Sequence, residues 1–108
     1  ASDVYKSQQE LSTELLKSAA VYIDDIHQAT GSGEINVPLA SGAFSLDDIA
    51  GTLGEVVAGT SSKPSAGTTS IFDSTGLAIQ DVALARAIHE AARSRSIGLE
   101  IDLIGLDT

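Results

Sequence analysis

FDSTGLAIQD, from Phe72 to Asp81, joins a short apolar run to a long Ala-rich one through four turn-forming residues. Thr69-Ser70-Ile71-Phe72 has the β-branched and aromatic character of a strand, and Asp73-Ser74-Thr75-Gly76 supplies turn and cap chemistry ahead of a helix spanning Leu77 to Arg93. A strand that turns abruptly into a helix leaves backbone N–H groups without intrahelical partners, and such groups can hold a polar or anionic ligand. The stretch reads as one wall of a site.

Downstream, Leu77, Leu84, Ile88 and Ala91 make one helix face, Ala78, Val82 and Ala85 widen it, and Gln80, Arg86, Glu90 and Arg93 lie on its rim. So broad an apolar arc predicts a largely buried helix. Gly98 then closes the helix, and Leu99-Glu100-Ile101-Asp102-Leu103 alternates apolar with acidic residues, the pattern of a half-exposed strand. Upstream, Ser12 is placed to cap a helix over Leu11–Ala19, and Ala20-Val21-Tyr22-Ile23 reads as a strand buried on both faces, as in a parallel sheet. Ile26 to Thr30 has room for a short helix, broken by Gly31-Ser32-Gly33. Pro38 and Gly42 predict irregular chain from Glu34 to Phe44. Ser45 and Asp48 have capping-box spacing, and Ile49, Leu53, Val56 and Val57 follow at helical intervals, predicting an amphipathic helix that ends at Gly59. Thr60 to Thr68, rich in Ser, Gly, Thr and Pro, reads as a surface loop.

A chain of 108 residues can make one domain or part of one. Its apolar runs last only a few residues, far short of the roughly 20 that span a bilayer. No cysteine is present, which excludes a disulfide framework and a thiolate nucleophile, and no secretory leader pattern opens the sequence. A cytoplasmic location is the expectation. The formal charge of −9 argues against nucleic acid and anionic membranes as partners. Solubility accounts for that acidity, as does adaptation to high salt, since Lys is confined to Lys6, Lys17 and Lys63. The sequence starts at Ala1 and contains no Met, so the expectation is a removed initiator or a piece of something longer.

No element carries a self-sufficient catalytic motif: Gly-x-Gly-x-x-Gly, a Walker loop, Gly-x-Ser-x-Gly and Cys/His ligand clusters are all missing from the sequence. His27 and His89 are isolated and read as surface or rim residues. Ser74 and Asp73 have no local histidine to complete a hydrolase triad. The pairs Asp24-Asp25 and Asp47-Asp48 read most simply as a strand end and the first turn of a helix, where the helix dipole favours carboxylates.

Five blocks together carry a resemblance. They are Gln9-Glu10-Leu11 with Leu15-Leu16, Val21-Tyr22-Ile23-Asp24-Asp25, Gly33-Glu34-Ile35 with Pro38-Leu39, Leu53-Gly54-Glu55-Val56-Val57-Ala58-Gly59, and Ile71 through Asp81. In this order and spacing the chain resembles the C-terminal third of the ornithine cyclodeaminase and mu-crystallin family, which includes alanine dehydrogenases and ketimine reductases. The resemblance covers nearly the whole chain.

It implies an α/β fold: the end of a Rossmann-type parallel sheet, in residues 1–30, followed by part of the family's substrate and dimerisation domain, in residues 31–108. It implies NAD(H) or NADP(H) as cofactor, a small amino-acid or imino-acid substrate, hydride transfer at the substrate's alpha carbon, and a homodimer. By likeness, Ser74, Thr75 and Gly76 would bind the nicotinamide end of the cofactor and Asp3 would handle a catalytic proton. The family's Gly-rich dinucleotide turn and the basic residues that hold the substrate carboxylate lie upstream of the part matched here. The chain departs from the family after Asp3, where Val4-Tyr5-Lys6-Ser7-Gln8-Gln9 replaces the usual Pro-Gly-Lys and is one residue longer. Two other readings of the same residues stay open: a crystallin-like protein that binds the dinucleotide without turnover, and an inert fragment that oligomerises through its exposed edges.

Overall fold

A computed structural model describes residues 8–101. The chain divides into two compact units, Ala1–Leu77 and Ala78–Thr108.

The first unit is built on β1 (Ala20–Ile23). Ahead of it, α1 (Thr13–Ser18) starts where the Ser12 hydroxyl accepts from the Leu15 N–H, the cap that the sequence predicts, and buries Leu16. β1 is the middle strand of a three-stranded sheet, paired in parallel with β2 (Ile49–Thr52) on one side and β3 (Ser70–Asp73) on the other. Its central place explains the unbroken apolar run, because parallel strands are covered on both faces. Val21 and Ile23 are fully buried and join Leu16, Ala29, Ile35 and Phe44 in the core. The sheet draws strands from both sides of residue 30, so the expected domain boundary after that residue would part β1 from both of its partners.

Two predicted elements of this unit differ. Glu34–Phe44 is not irregular: after α2 (Ile26–Gly31), capped by the Asp25 carboxylate, a short helix α3 (Asn36–Ala40) forms. Pro38 falls in its first turn, where a missing N–H costs nothing, and is itself buried. Ile35 and Phe44, at either end of this segment, supply core volume. The predicted helix from Ser45 to Gly59 is broken in two. Ser45 and Asp48 do form a capping box, but it opens only a 3-10 turn, Leu46–Asp48. Ile49–Thr52 then pairs with β1, and α4 (Leu53–Ala58) begins behind a second box, in which the Glu55 N–H donates to Thr52 Oγ1 and the Thr52 N–H to Glu55 Oε2. The backbone bonds offered by β1 outweigh a helical periodicity that Ile49 shared only by chance. Gly59 ends α4 as expected.

The second unit contains α5 (Ala78–Ser94), within one residue of the predicted limits at each end. It carries no buried residue, contrary to the expectation from its broad apolar arc. Leu99–Ile101 form no strand, and the remainder of the predicted strand lies outside the described residues. β3 pairs with β1, so it belongs to the sheet of the first unit.

Candidate functional site at the carboxyl ends of the parallel strands

In a parallel α/β sheet, ligands bind outside the carboxyl ends of the strands. Here β1 runs out into Asp24-Asp25, and β3 ends at Asp73, followed by Ser74-Thr75-Gly76. The register sets Ile23 beside Asp73, so Asp24 and the turn after β3 emerge side by side.

The two adjacent carboxylates divide their work. Asp25 turns back to cap α2, accepting from the His27 N–H at 2.9 Å and the Gln28 N–H at 3.0 Å. Asp24 reaches across to the turn. Its Oδ2 accepts from the backbone N–H of Thr75 and of Gly76, each at 2.8 Å, and its Oδ1 accepts from the Thr75 hydroxyl at 2.9 Å and from the Asp25 N–H at 2.9 Å. Partial burial pushes this carboxyl up, but the bonds from Gly76, Thr75 and Asp25 outweigh it and hold the group below the ordinary aspartate range.

Asp73 behaves in the opposite way. It is the buried charged residue among those described, and burial raises its carboxyl above the usual value although the Glu34 and Ile35 N–H groups donate to it. The Glu34 N–H lies 3.0 Å from Asp73 Oδ2. The Glu34 side chain in turn accepts from the N–H groups of Glu10, at 2.9 and 3.1 Å, and of Leu11, at 2.8 Å. Gly33 makes this close approach feasible. Its φ is +89°, and a Cβ there would fall 2.7 and 2.8 Å from the Asp73 oxygens and 2.9 Å from the Thr75 methyl group.

These contacts change the reading of the turn. The Thr75 and Gly76 N–H groups, expected to face a ligand, are spent on Asp24. Ser74 is exposed, and its hydroxyl has no hydrogen-bond partner among the described residues. Beside Gly76, whose φ is +83°, a Cβ would meet nothing within 4 Å, so the space is open. Among the described residues the turn thus presents one hydroxyl without a hydrogen-bond partner, and an open backbone shelf, braced by a carboxylate. Asp3 lies outside the described residues. His27 and His89 are exposed. Among the described residues no group of three or more His, Cys, Asp or Glu could hold a metal ion, and no helix is long and apolar enough to cross a membrane.

The sequence reading missed Asp24, Gly33 and Glu34. A signal for the first was present in the doubled Asp24-Asp25, since one carboxylate suffices to cap α2 and the second must act elsewhere.

Parallel strands whose carboxyl ends meet at a braced turn are the kind of place at which open α/β sheets bind ligands. The chain belongs to the ornithine cyclodeaminase/mu-crystallin family, whose model matches residues 3–96. It is 47% identical over 94 residues to an alanine dehydrogenase of Archaeoglobus fulgidus, covering 86% of this chain and 29% of that protein. An iminosuccinate reductase of Paracoccus denitrificans is 34% identical over 98 residues, covering 91% of this chain and 30% of that one. Among solved structures, an archaeal alanine dehydrogenase dimer with bound NAD matches with a TM-score of 0.76 and 44% identity over 90% of this chain and 31% of its own. The Thermococcus litoralis Δ1-pyrroline-2-carboxylate reductase in complex with NADH and L-proline matches with a TM-score of 0.76 and 26% identity, over 89% of this chain and 30% of its own. The chain therefore spans about 30% of the length of the relatives it matches.

Proposed function

We propose that this chain is the C-terminal portion of an NAD(P)-dependent oxidoreductase or cyclodeaminase that acts on a 2-amino or 2-imino acid by hydride transfer at the alpha carbon. The observation that carries the reading is the Asp73–Gly76 turn at the carboxyl ends of parallel strands, in a chain similar to amino- and imino-acid dehydrogenases and reductases. The turn suits the nicotinamide end of a dinucleotide: the Ser74 hydroxyl can donate to or accept from the neutral carboxamide, and the open space beside Gly76 admits a flat ring. It does not suit a phosphate, because the N–H groups that would hold one are taken by Asp24. When bound, the nicotinamide supplies the hydride donor or acceptor. The chain's own contribution is to position that end through Ser74, Thr75 and Gly76, with Asp3 handling a proton on water or on the substrate amine.

On this reading residues 1–77 complete the dinucleotide-binding sheet, and residues 78–108 return to the substrate and dimerisation domain of a cytoplasmic homodimer. The anchor for the pyrophosphate and the basic groups for the substrate carboxylate belong to the remainder of the longer protein. The test is fluorescence titration of the natural full-length protein and of the 108-residue chain with NADH and NADPH. Saturable binding by the full-length protein, with weak binding by the chain alone, is expected. Tight micromolar binding by the chain alone, or none by the full-length protein, would overturn the proposal.

A further inference from the structure

Asp24 receives four hydrogen bonds and gives none. Three of them come from Thr75 and Gly76, more than fifty residues away in sequence, and they join the end of β1 to the turn after β3. A carboxylate matches such a ring of donors because all of its lone pairs accept; an amide at the same place would turn two of its own hydrogens toward them. The low proton affinity of this carboxyl agrees with the geometry, since every donor favours the charged form.

We propose that Asp24 is the positioning residue of the site: by taking the N–H groups of Thr75 and Gly76 and the Thr75 hydroxyl, it fixes the turn so that Ser74 is the hydrogen-bonding side chain that meets the ligand. The inference rests on the dinucleotide reading above and adds to it what the turn recognises. With both amides withdrawn, the turn is a one-hydroxyl contact for a neutral group and not an anion cradle. Asp24 itself touches no ligand in this scheme. Its effect on binding passes through the angle at which Ser74 is held.

A double-mutant cycle in the natural full-length protein tests this, with Asp24→Asn, Ser74→Ala and the pair, read as the dissociation constant for NADH. Ser74→Ala is expected to weaken binding about tenfold by removing one ligand hydrogen bond. Asp24→Asn is expected to weaken it by a similar factor, and Ser74→Ala added to Asp24→Asn should cost less than about twofold further, because the hydroxyl is already misplaced. If Asp24 were only a structural brace, Asp24→Asn would lower the melting temperature while Ser74→Ala kept its full tenfold cost in that background; that additive result overturns the inference. Should Asp24→Asn fail to fold, Thr75→Val removes one of the three long-range bonds and enters the same cycle with the same expected non-additivity.

Amide hydrogen exchange separates the failure of this inference from failure of the reading beneath it. The Thr75 and Gly76 amides of the wild-type protein should exchange slowly with no cofactor present, and quickly in Asp24→Asn. Free-peptide exchange at both in the wild type would refute the role of Asp24 even if NADH bound well. Slow exchange in a protein that binds no dinucleotide would overturn the ligand reading, and the positioning role with it.

Discussion

In the unit of residues 1–77, Leu16, Val21, Ile23, Ala29, Ile35 and Phe44 are at most 4% exposed, whereas α5 of the other unit leaves Ile79 71%, Val82 65% and Ile88 59% exposed. Both units have regular secondary structure, so the difference lies in what covers it. A parallel strand paired on both sides and crossed by short helices closes its own core, because each element's apolar face meets another's. Among the described residues α5 buries no side chain, and its apolar stripe stays exposed. The seventeen residues of α5, several of them Ala, lie just above the length below which isolated helices are marginal, so local propensity contributes to holding them helical.

The contrast breaks most sharply in the core. Ile23→Ala, at a fully buried position of β1, should cost about 2–5 kcal/mol in urea denaturation of the chain, the usual penalty for a large-to-small change that leaves a cavity. Ile88→Ala removes the same atoms from an exposed face and should change stability by less than about 0.5 kcal/mol, with helical circular dichroism held or slightly raised, as Ala is the better helix former. Equal losses at the two positions would mean that α5 is packed in solution.

Glycine gives the next largest contrast. Gly33 and Gly98 both have positive φ, +89° and +104°, so Ala at either place strains the backbone by roughly 1–2 kcal/mol. At Gly98 nothing lies within 4 Å of an added Cβ, and that strain is the whole effect. At Gly33 the same Cβ meets the Asp73 carboxylate and the Thr75 methyl group below 3 Å, so the loss should exceed that of Gly98→Ala in a thermal melt and extend to the turn after β3. Indistinguishable melting temperatures for the two variants would show that Asp73 and Thr75 move aside freely.

These same positions show what the sequence made legible. Local signals were readable wherever the partner was close in the chain: Ser12 on the Leu15 N–H, the apolar run of β1, and the limits of α5 all follow from residues within a turn or two. Pairing across the chain was not. Ile49–Thr52 keeps a helical spacing on paper and becomes a strand because β1 lies beside it. Pro38 looked like a breaker and is a first-turn residue buried in the core. Of the proposed site, FDSTGLAIQD was legible as a strand-to-helix turn, and in the structure the space beside Gly76 in that turn is open. The bracing of that turn was not, because it depends on Asp24 reaching residues 51 and 52 positions away. Periodicity likewise says that a face of α5 is apolar and leaves unsaid what covers it.

The smallest expected effect is a pH dependence confined to the sheet unit. Burial raises the Asp73 carboxyl, so the folded chain binds its proton more tightly than the unfolded chain does. The stability this contributes is fully present below the unfolded value, near pH 3.8, and is lost as pH rises through the higher folded value. Asp24 runs the other way: its folded carboxyl is depressed, so its contribution is present above pH 3.8 and falls away only in stronger acid. The two contributions slope in opposite directions, so the part due to Asp73 is read as the difference between the wild type and an Asp73 variant, in which Asp24 is common to both. Asp73→Asn keeps an acceptor for one of its two N–H donors and abolishes the titration, so urea midpoints of the variant should lose the downward slope with rising pH that Asp73 gives the wild type. Tyr22, buried in β1 with its hydroxyl donating to the Ser62 carbonyl at 2.8 Å, reports the sheet by fluorescence, while helical circular dichroism also follows α5. If wild type and Asp73→Asn keep the same slope by tyrosine fluorescence, the proton is not held at Asp73, and the buried carboxylate must instead be balanced by the Glu34 and Ile35 N–H groups.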